Sequence, residues 1–223
     1  MSSSFFQNYS VCRDNFLSDP EKIVKLSERQ NYERNFFYPG QRTKNILSSP
    51  DTETKSFADY LTNRLVTEIF PYINNIDLLD IRFHKNDTYD NDIANVGWIH
   101  YDWSDLAGII YLTQNEDNFE TGTSIFNCKP DAVLPTVDPQ SRKDFNLTCT
   151  VTEDYLVALK NNWGFFKETI KFGNQFNRVV AYDAKRFHRP NNFVTSNDCR
   201  LAVLFFIKGY DVTVPVINTM YKD

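Results

Sequence analysis

The chain has no stretch approaching about 18 uninterrupted apolar residues, so no membrane-spanning helix is expected. Its first residues, Met1-Ser-Ser-Ser-Phe-Phe-Gln-Asn, show neither a basic leader nor a long apolar run, and no secretory signal is expected. Only four cysteines occur, Cys12, Cys128, Cys149 and Cys199, and none forms a C-x-x-C pair. That spacing gives no zinc or redox motif, and the thiols are expected to be reduced in a cytoplasmic protein. Glycine is scarce, seven in all, with no glycine-rich phosphate loop. Positive charge is also short: 24 Lys and Arg stand against 29 Asp and Glu, a net charge of -5, which disfavours a nucleic-acid partner. What is abundant is apolar and aromatic mass. In 223 residues, 41% are hydrophobic, with 19 Phe and 12 Tyr, enough for one well-filled core and too much for a disordered chain.

The first third predicts helices. Ser18-Asp-Pro20-Glu21 reads as a Ser N-cap, a Pro in the first turn and a Glu completing a capping box, followed by Ile23, Val24 and Leu26. A second start at Ser49-Pro50-Asp51 precedes Phe57, Leu61, Leu65 and Ile69, spaced every four residues until Pro71. Phe36-Phe-Tyr-Pro-Gly-Gln-Arg-Thr43 lies between them as an aromatic turn. From Ile76 the texture changes to short apolar runs split by polar turns. Strands are expected over Leu78–Phe83, Val96–Tyr101, Gly108–Thr113, Thr123–Phe126, Arg178–Tyr182 and Leu201–Ile207, the pattern of a β-sandwich or barrel. Residues 129–150, with three prolines, predict a long loop of the kind that forms lids, and Thr152 opens a helix towards Asn161.

Only three histidines occur, and two stand in informative places. In Gly97-Trp-Ile-His100-Tyr-Asp102-Trp, an extended backbone turns His100 and Asp102 to the same face. His188 follows 86 residues after Asp102, just before Pro190. Two His and one carboxylate on one face are the ligand set of non-haem iron(II) oxygenases, although an H-x-D triplet alone is common. Arg200 enters the run Leu-Ala-Val-Leu-Phe-Phe-Ile207, apolar on both faces, so its guanidinium needs a partner. Asp198 or another carboxylate of the chain is one candidate. The carboxylate of a bound ligand is the other. Tyr111 could add a hydroxyl to that carboxylate, or could be a core aromatic.

Taken in order, His100-x-Asp102, Tyr111-Leu-Thr, Gly122-Thr123, His188 and Arg200-Leu-Ala-Val resemble the iron(II)- and 2-oxoglutarate-dependent oxygenases, most closely the prolyl-hydroxylase-like branch. Asn177-Arg-Val-Val-Ala-Tyr-Asp and the His188 that follows resemble the corresponding stretch of small bacterial and phage members. The likeness covers roughly residues 76–208. It implies a mainly β protein, a double-stranded β-helix or jelly roll with the N-terminal helices packed on it. The expected layout is a single domain over 1–223, with 1–75 as helical support, 76–208 as catalytic core and 209–223 as a tail. By the same resemblance His100, Asp102 and His188 hold Fe(II), and 2-oxoglutarate chelates the metal with its distal carboxylate on Arg200, assisted by Tyr111. O2 is the other reactant. The implied outcome is succinate, CO2 and a hydroxylated C–H, possible on a prolyl or other amino-acid residue or on a small molecule. An intact Asp102 favours hydroxylation over halogenation. The primary substrate is not legible.

Two departures from the pattern stand out. His188 and Arg200 are twelve residues apart, which enlarges the loop 191–198, and His84 stands where relatives often carry a cosubstrate-supporting Tyr. Trp98, Trp103 and Phe126 are candidates for a substrate pocket, or core aromatics. Arg186 could bind an anionic substrate, or be a solvated surface charge, and Arg189 likewise. Two rival readings remain: a cupin-like metalloprotein performing hydrolysis or isomerisation, which has no need of Arg200, and a non-catalytic jelly-roll binding module.

Overall fold

The computed structural model describes residues 9–114, 118–135, 139–194 and 199–213. Strand β1 (Ser10–Arg13) precedes helix α1 (Pro20–Glu28), then β2 (Glu33–Asn35), β3 (Tyr38–Arg42) and helix α2 (Thr52–Arg64). There follow β4 (Ile73–Asn74), β5 (Leu78–Asp87), β6 (Leu106–Tyr111) and β7 (Asn118–Cys128). Helices α3 (Gln140–Thr148) and α4 (Glu153–Gly164) lead into β8 (Phe166–Asn174), β9 (Val179–Asp183), β10 (Phe187–Pro190), β11 (Cys199–Lys208) and β12 (Asp211–Val212). Seven strands form one antiparallel sheet of order β1-β9-β6-β11-β5-β3-β2, three form a second of order β10-β7-β8, and β12 pairs with β4. No helix among the described residues is long and apolar enough to cross a membrane.

Alternation along the central strands sorts their side chains between two cores. Leu201, Val203, Phe205 and Ile207 of β11, Ile81 and Phe83 of β5, and Val179 and Ala181 of β9 pack beneath the helices with Phe57, Leu61 and Leu65. The intervening residues, Ala202 and Phe206 of β11, Ala107, Ile109 and Tyr111 of β6, and Val180 and Tyr182 of β9, face the second sheet and meet Ile125 of β7. The two facing sheets make a double-stranded β-helix, mainly β with helices covering the large sheet.

Helix α2 forms because Asp51 caps it, accepting from the Thr54 amide at 2.8 Å, while Phe57, Ala58 and Leu61 repeat on one face. The helix then widens into a single π-turn, Leu65–Ile69, closed by the Phe70 amide on the Leu65 carbonyl at 2.8 Å before Pro71 stops it. Leu61 has no exposed surface.

Several expectations are corrected. Helix α1 is capped by Asp19, not Ser18, through the Lys22 amide, so Glu21 is too early to complete a capping box. The N-terminal third is not purely helical: it contributes β1, β2 and β3 to the large sheet. The expected aromatic turn at 36–43 is instead mostly β3, paired to β5. Gly40 makes this pairing possible, because at φ +76° a Cβ there would sit 2.1 Å from the Asn86 Oδ1. The expected loop 129–150 contains α3, whose one large buried apolar side chain, Phe145, stacks on Tyr155 of α4 at 4.0 Å. Val96–Tyr101 is not a continuous strand but an irregular extended segment with two isolated bridges, Val96 to Asn192 and His100 to His188.

Candidate metal centre

Residues 97–100 run extended beside β10 because side chains of α4 replace the missing strand partner. Asn162 accepts from the Ile99 amide at 2.8 Å and donates to its carbonyl at 3.0 Å, and the Trp163 indole donates to the Gly97 carbonyl at 3.1 Å. Gly97 permits the close approach, since a Cβ there would meet the Pro190 carbonyl at 2.5 Å. The result is a reciprocal backbone pair, His100 amide to His188 carbonyl at 3.0 Å and His188 amide to His100 carbonyl at 2.8 Å. This pair sets the two imidazoles side by side, ring centres 4.6 Å apart.

Each imidazole is oriented in the same way. The His100 Nδ1 lies 2.9 Å from the Trp98 carbonyl and the His188 Nδ1 lies 2.9 Å from the Arg186 carbonyl. A carbonyl only accepts, so each Nδ1 carries a proton and each Nε2 is the nitrogen turned towards Asp102. The Asp102 carboxylate lies 3.3 Å from the His188 Nε2 and 3.8 Å from the His100 Nε2. One ligand atom from each of the three residues falls within 4.8 Å of the others, close enough to converge on one ion. Burial, reinforced by neighbouring His188, pushes the His100 pKa down to about 3. Burial alone would raise Asp102, yet the two imidazoles and Arg42 hold its carboxyl well below the usual carboxylate range. Near neutral pH the trio therefore offers an uncharged His100 imidazole and an ionised Asp102, the protonation states a divalent cation needs.

Behind the trio, a cavity of about 80 Å³ reaches inward to Thr123, His84, Asn86, Tyr182 and Arg200. Arg200 is 4% exposed. Its Nη2 donates to the Gly122 carbonyl at 3.3 Å, while its Nε is buried with no partner. No carboxylate pairs with it among the described residues, and Asp198, one of the expected candidates, lies outside them. Tyr111 stands beneath the guanidinium, 5.3 Å from ring centre to Cζ, with its hydroxyl donating to the Thr123 Oγ1 at 2.8 Å. His84 bonds the Pro39 carbonyl at 2.9 Å, and burial together with Arg42 and Arg200 pushes its pKa well down, so it is neutral.

The sequence matches the "Family of unknown function (DUF6445)" over residues 7–192. The chain belongs to that family. No curated protein matches it. Among solved structures, HygX from Streptomyces hygroscopicus, with nickel and 2-oxoglutarate bound, is similar at a TM-score of 0.57 and 14% identity, over 92% of this chain and 84% of that one. A prolyl hydroxylase from Trichoplax adhaerens, in complex with a hypoxia inducible factor peptide fragment, gives 0.51 and 12%, over 91% and 84%. The non-heme alpha ketoglutarate dependent epimerase SnoN of nogalamycin biosynthesis gives 0.53 and 12%, over 95% and 83%. At such identities these likenesses establish the fold of this DUF6445 member.

An outer cavity of about 850 Å³ opens from His100 and Asp102 to the surface. Trp98 and Trp103 line it, joined by Tyr101, Phe187, Arg42 and Arg142. Two other expected pocket residues stand elsewhere. Phe126 packs into the core with Ile99 and Phe166, under the guanidinium of Arg189, because β7 turns that side chain away from the cavity. Arg186 reaches the Thr169 hydroxyl at 3.3 Å on β8 instead of the cavity. The Arg189 side chain is held between Phe126 and Trp163, 5.1 Å from each ring centre, so it is a packed residue of the fold and not a solvated charge. Sequence reasoning missed Asn162 and Arg42. The first sits on a helix 62 residues from His100, and the second is joined to the site only by the register of β3 on β5.

Proposed function

We propose that this chain is a non-haem iron(II) oxygenase that couples oxidative decarboxylation of 2-oxoglutarate to hydroxylation of an unactivated C–H. The observation that carries this reading is one continuous cavity with the His100–Asp102–His188 trio at one end and a buried guanidinium lacking a carboxylate partner at the other. The donor set fits the metal, since two imidazole nitrogens and one carboxylate oxygen leave the opposite face of an ion open. The orphaned Arg200 Nε fits a dicarboxylate cosubstrate.

Bound together, iron(II), 2-oxoglutarate and O2 supply the oxidising chemistry, with succinate and CO2 as the co-products. The chain's own residues position and shield. Arg200 would fork onto the distal carboxylate at the inner end of the cavity. Tyr111 and Thr123 form a hydroxyl pair beside it, and Tyr182, with its ring centre 4.7 Å from that of His188, closes the wall next to the metal ligands. His84, kept neutral, faces the same space without adding a further positive charge. The Trp98 and Arg186 carbonyls fix both imidazole rings, so little reorganisation accompanies metal binding. A hydrolase or isomerase using the same trio would leave Arg200 without a task.

The test is an anaerobic titration of Fe(II)-loaded protein with 2-oxoglutarate, following the weak visible metal-to-ligand charge-transfer band. A saturable band that is lost in His100→Ala is the expected result. Tight Fe(II) binding with no band at any cosubstrate concentration would refute the reading.

A further inference from the structure

Arg42 is a second guanidinium with no carboxylate in ion-pair contact among the described residues, attracted by Asp102 only at longer range, and it lies where the inner and outer cavities meet. Its Cζ sits 3.8 Å above the Tyr38 ring and 5.6 Å from that of Phe206. Stacking of this kind satisfies the face of a guanidinium and leaves its in-plane donors unused. Its Nε is buried with no partner, and among the described residues its side chain forms no hydrogen bond or ion pair. The nearby Arg82 is different, since its Nε is engaged by both oxygens of Asp80 at 2.8 and 2.9 Å. Burial lowers the Arg42 pKa only to about 10, so the group is charged at neutral pH.

The sheet register separates the two arginines. Arg42 pairs with His84, and Arg200 pairs with Asn86, two residues further along β5 on the same face. Arg200 is sealed at the inner end, whereas Arg42 also fronts the outer cavity, whose walls include Trp98, Tyr101, Trp103 and Phe187. About 850 Å³ is within the range of cavities that hold a drug-sized molecule. Arg82 on the same walls is paired with Asp80 and Arg142 lies over the Trp98 ring, so Arg42 is the guanidinium there with unused in-plane donors, a match for a single carboxylate.

We infer that Arg42 receives the carboxylate of the primary substrate, an organic monocarboxylate whose apolar or ring-bearing body lies among the aromatic walls of the outer cavity. The inference rests on the oxygenase reading for its distinction between substrate and cosubstrate. It concerns Arg42 alone and can fail separately.

The experiment compares 3-phenylpropionate with its uncharged counterpart 3-phenylpropanamide. Binding is measured by tryptophan fluorescence and calorimetry on anaerobic Fe(II)-loaded protein with saturating 2-oxoglutarate. The acid is expected to bind at least about tenfold more tightly than the amide, the worth of one charge-assisted contact. Arg42→Gln should erase that preference and still give a saturable 2-oxoglutarate charge-transfer band. Arg42→Lys, which keeps the charge and loses the fork, should retain part of it. Equal binding of acid and amide by the wild type, or an undiminished preference in Arg42→Gln, would overturn the inference. So would loss of the 2-oxoglutarate titration in Arg42→Gln, which would make Arg42 the cosubstrate's arginine. If Arg42→Gln does not fold, the wild-type and Arg42→Lys comparison decides. If the wild type shows no charge-transfer band, the oxygenase reading fails, and the acid–amide comparison on metal-free protein still decides the role of Arg42.

Discussion

Replacing Arg200 by Met should do two opposite things at once. In the ligand-free protein the guanidinium is 4% exposed, makes a long hydrogen bond of 3.3 Å to the Gly122 carbonyl, has the neutral Tyr111 side chain beside it and leaves its Nε unsatisfied. Exchanging so poorly compensated a buried charge for an apolar side chain of similar length should be neutral or stabilising, by up to about 1–4 kcal/mol. In a chain of this size each kcal/mol moves Tm by about 2–4 °C, so Arg200→Met should melt no lower than the wild type. Cosubstrate binding should move the other way. Truncating one side of a buried, hydrogen-bonded charge pair costs about 2–5 kcal/mol, or roughly 30-fold to several-thousand-fold in Kd. At 2-oxoglutarate concentrations near 100 times its wild-type Kd, binding adds about 2.7 kcal/mol, or about 5–11 °C. At the same concentration the variant should gain less than about 1 kcal/mol, or no more than about 4 °C. Thermal melts with and without 2-oxoglutarate, on protein loaded with a redox-inert divalent metal, read both effects together. A variant that melts several degrees lower alone, yet keeps the full cosubstrate shift, would show that Arg200 serves the fold and not the ligand.

Asp102→Ala removes one of the three proposed ligands, and equilibrium dialysis should show metal affinity falling by more than the ~10–100-fold typical of losing a supporting residue; wild-type affinity in this variant would dismiss the centre. Stability should fall on acidification, because His100 and His84 have pKa values lowered in the fold and take up protons near pH 6.5 once unfolded. The unfolded state then binds more protons, so unfolding free energy drops with pH from about 6.5 downward, by about 2 kcal/mol for each histidine between pH 7 and 5. Urea midpoints at the two pH values check this, and a flat profile would contradict the burial argument. Tyr111→Phe deletes the hydroxyl that donates to Thr123 at 2.8 Å and should cost about 0.5–1.5 kcal/mol in the same urea assay. It should also weaken 2-oxoglutarate less than Arg200→Met does. An effect on cosubstrate equal to that of Arg200→Met would mean that the hydroxyl matters to the ligand as much as the guanidinium does.

Those parts of the fold governed by local pattern were legible. The doubly apolar run of β11 reads as a strand buried on both faces, and it lies between β6 and β5 in the large sheet. The four-residue spacing of Phe57, Leu61 and Leu65 reads as a helix over the core, and it is one. Elements held by partners distant in sequence were not legible. Strand β3 carries Pro39 and Gly40 and has little alternation of its own, and it pairs because β5 offers an edge. Helix α3 has few apolar residues, and its burial against α4 through Phe145 and Tyr155 outweighs that weak pattern. The segment 97–100 looks like a strand in sequence because it is extended. It lacks a ladder because Asn162, a side chain, occupies the place of the neighbouring backbone.

The same division explains which parts of the site could be foreseen. His100 and Asp102 are neighbours on one face wherever the backbone is extended, so two members of the trio follow from local geometry whether or not a ladder forms. Arg200 shows itself as a charge within an apolar run. Arg42 carries no such mark, since it follows Tyr-Pro-Gly-Gln in a segment that the sequence alone reads as an aromatic turn, and it reaches the cavity only because β3 lies on β5 with Arg42 opposite His84. A shift of one residue in that register would turn its guanidinium to the other face. Gly40 guards against the shift, because its missing Cβ is what lets the Asn86 side chain approach. The position of the second arginine is thus fixed by one glycine contact and one strand register, and neither is visible until the strands are paired.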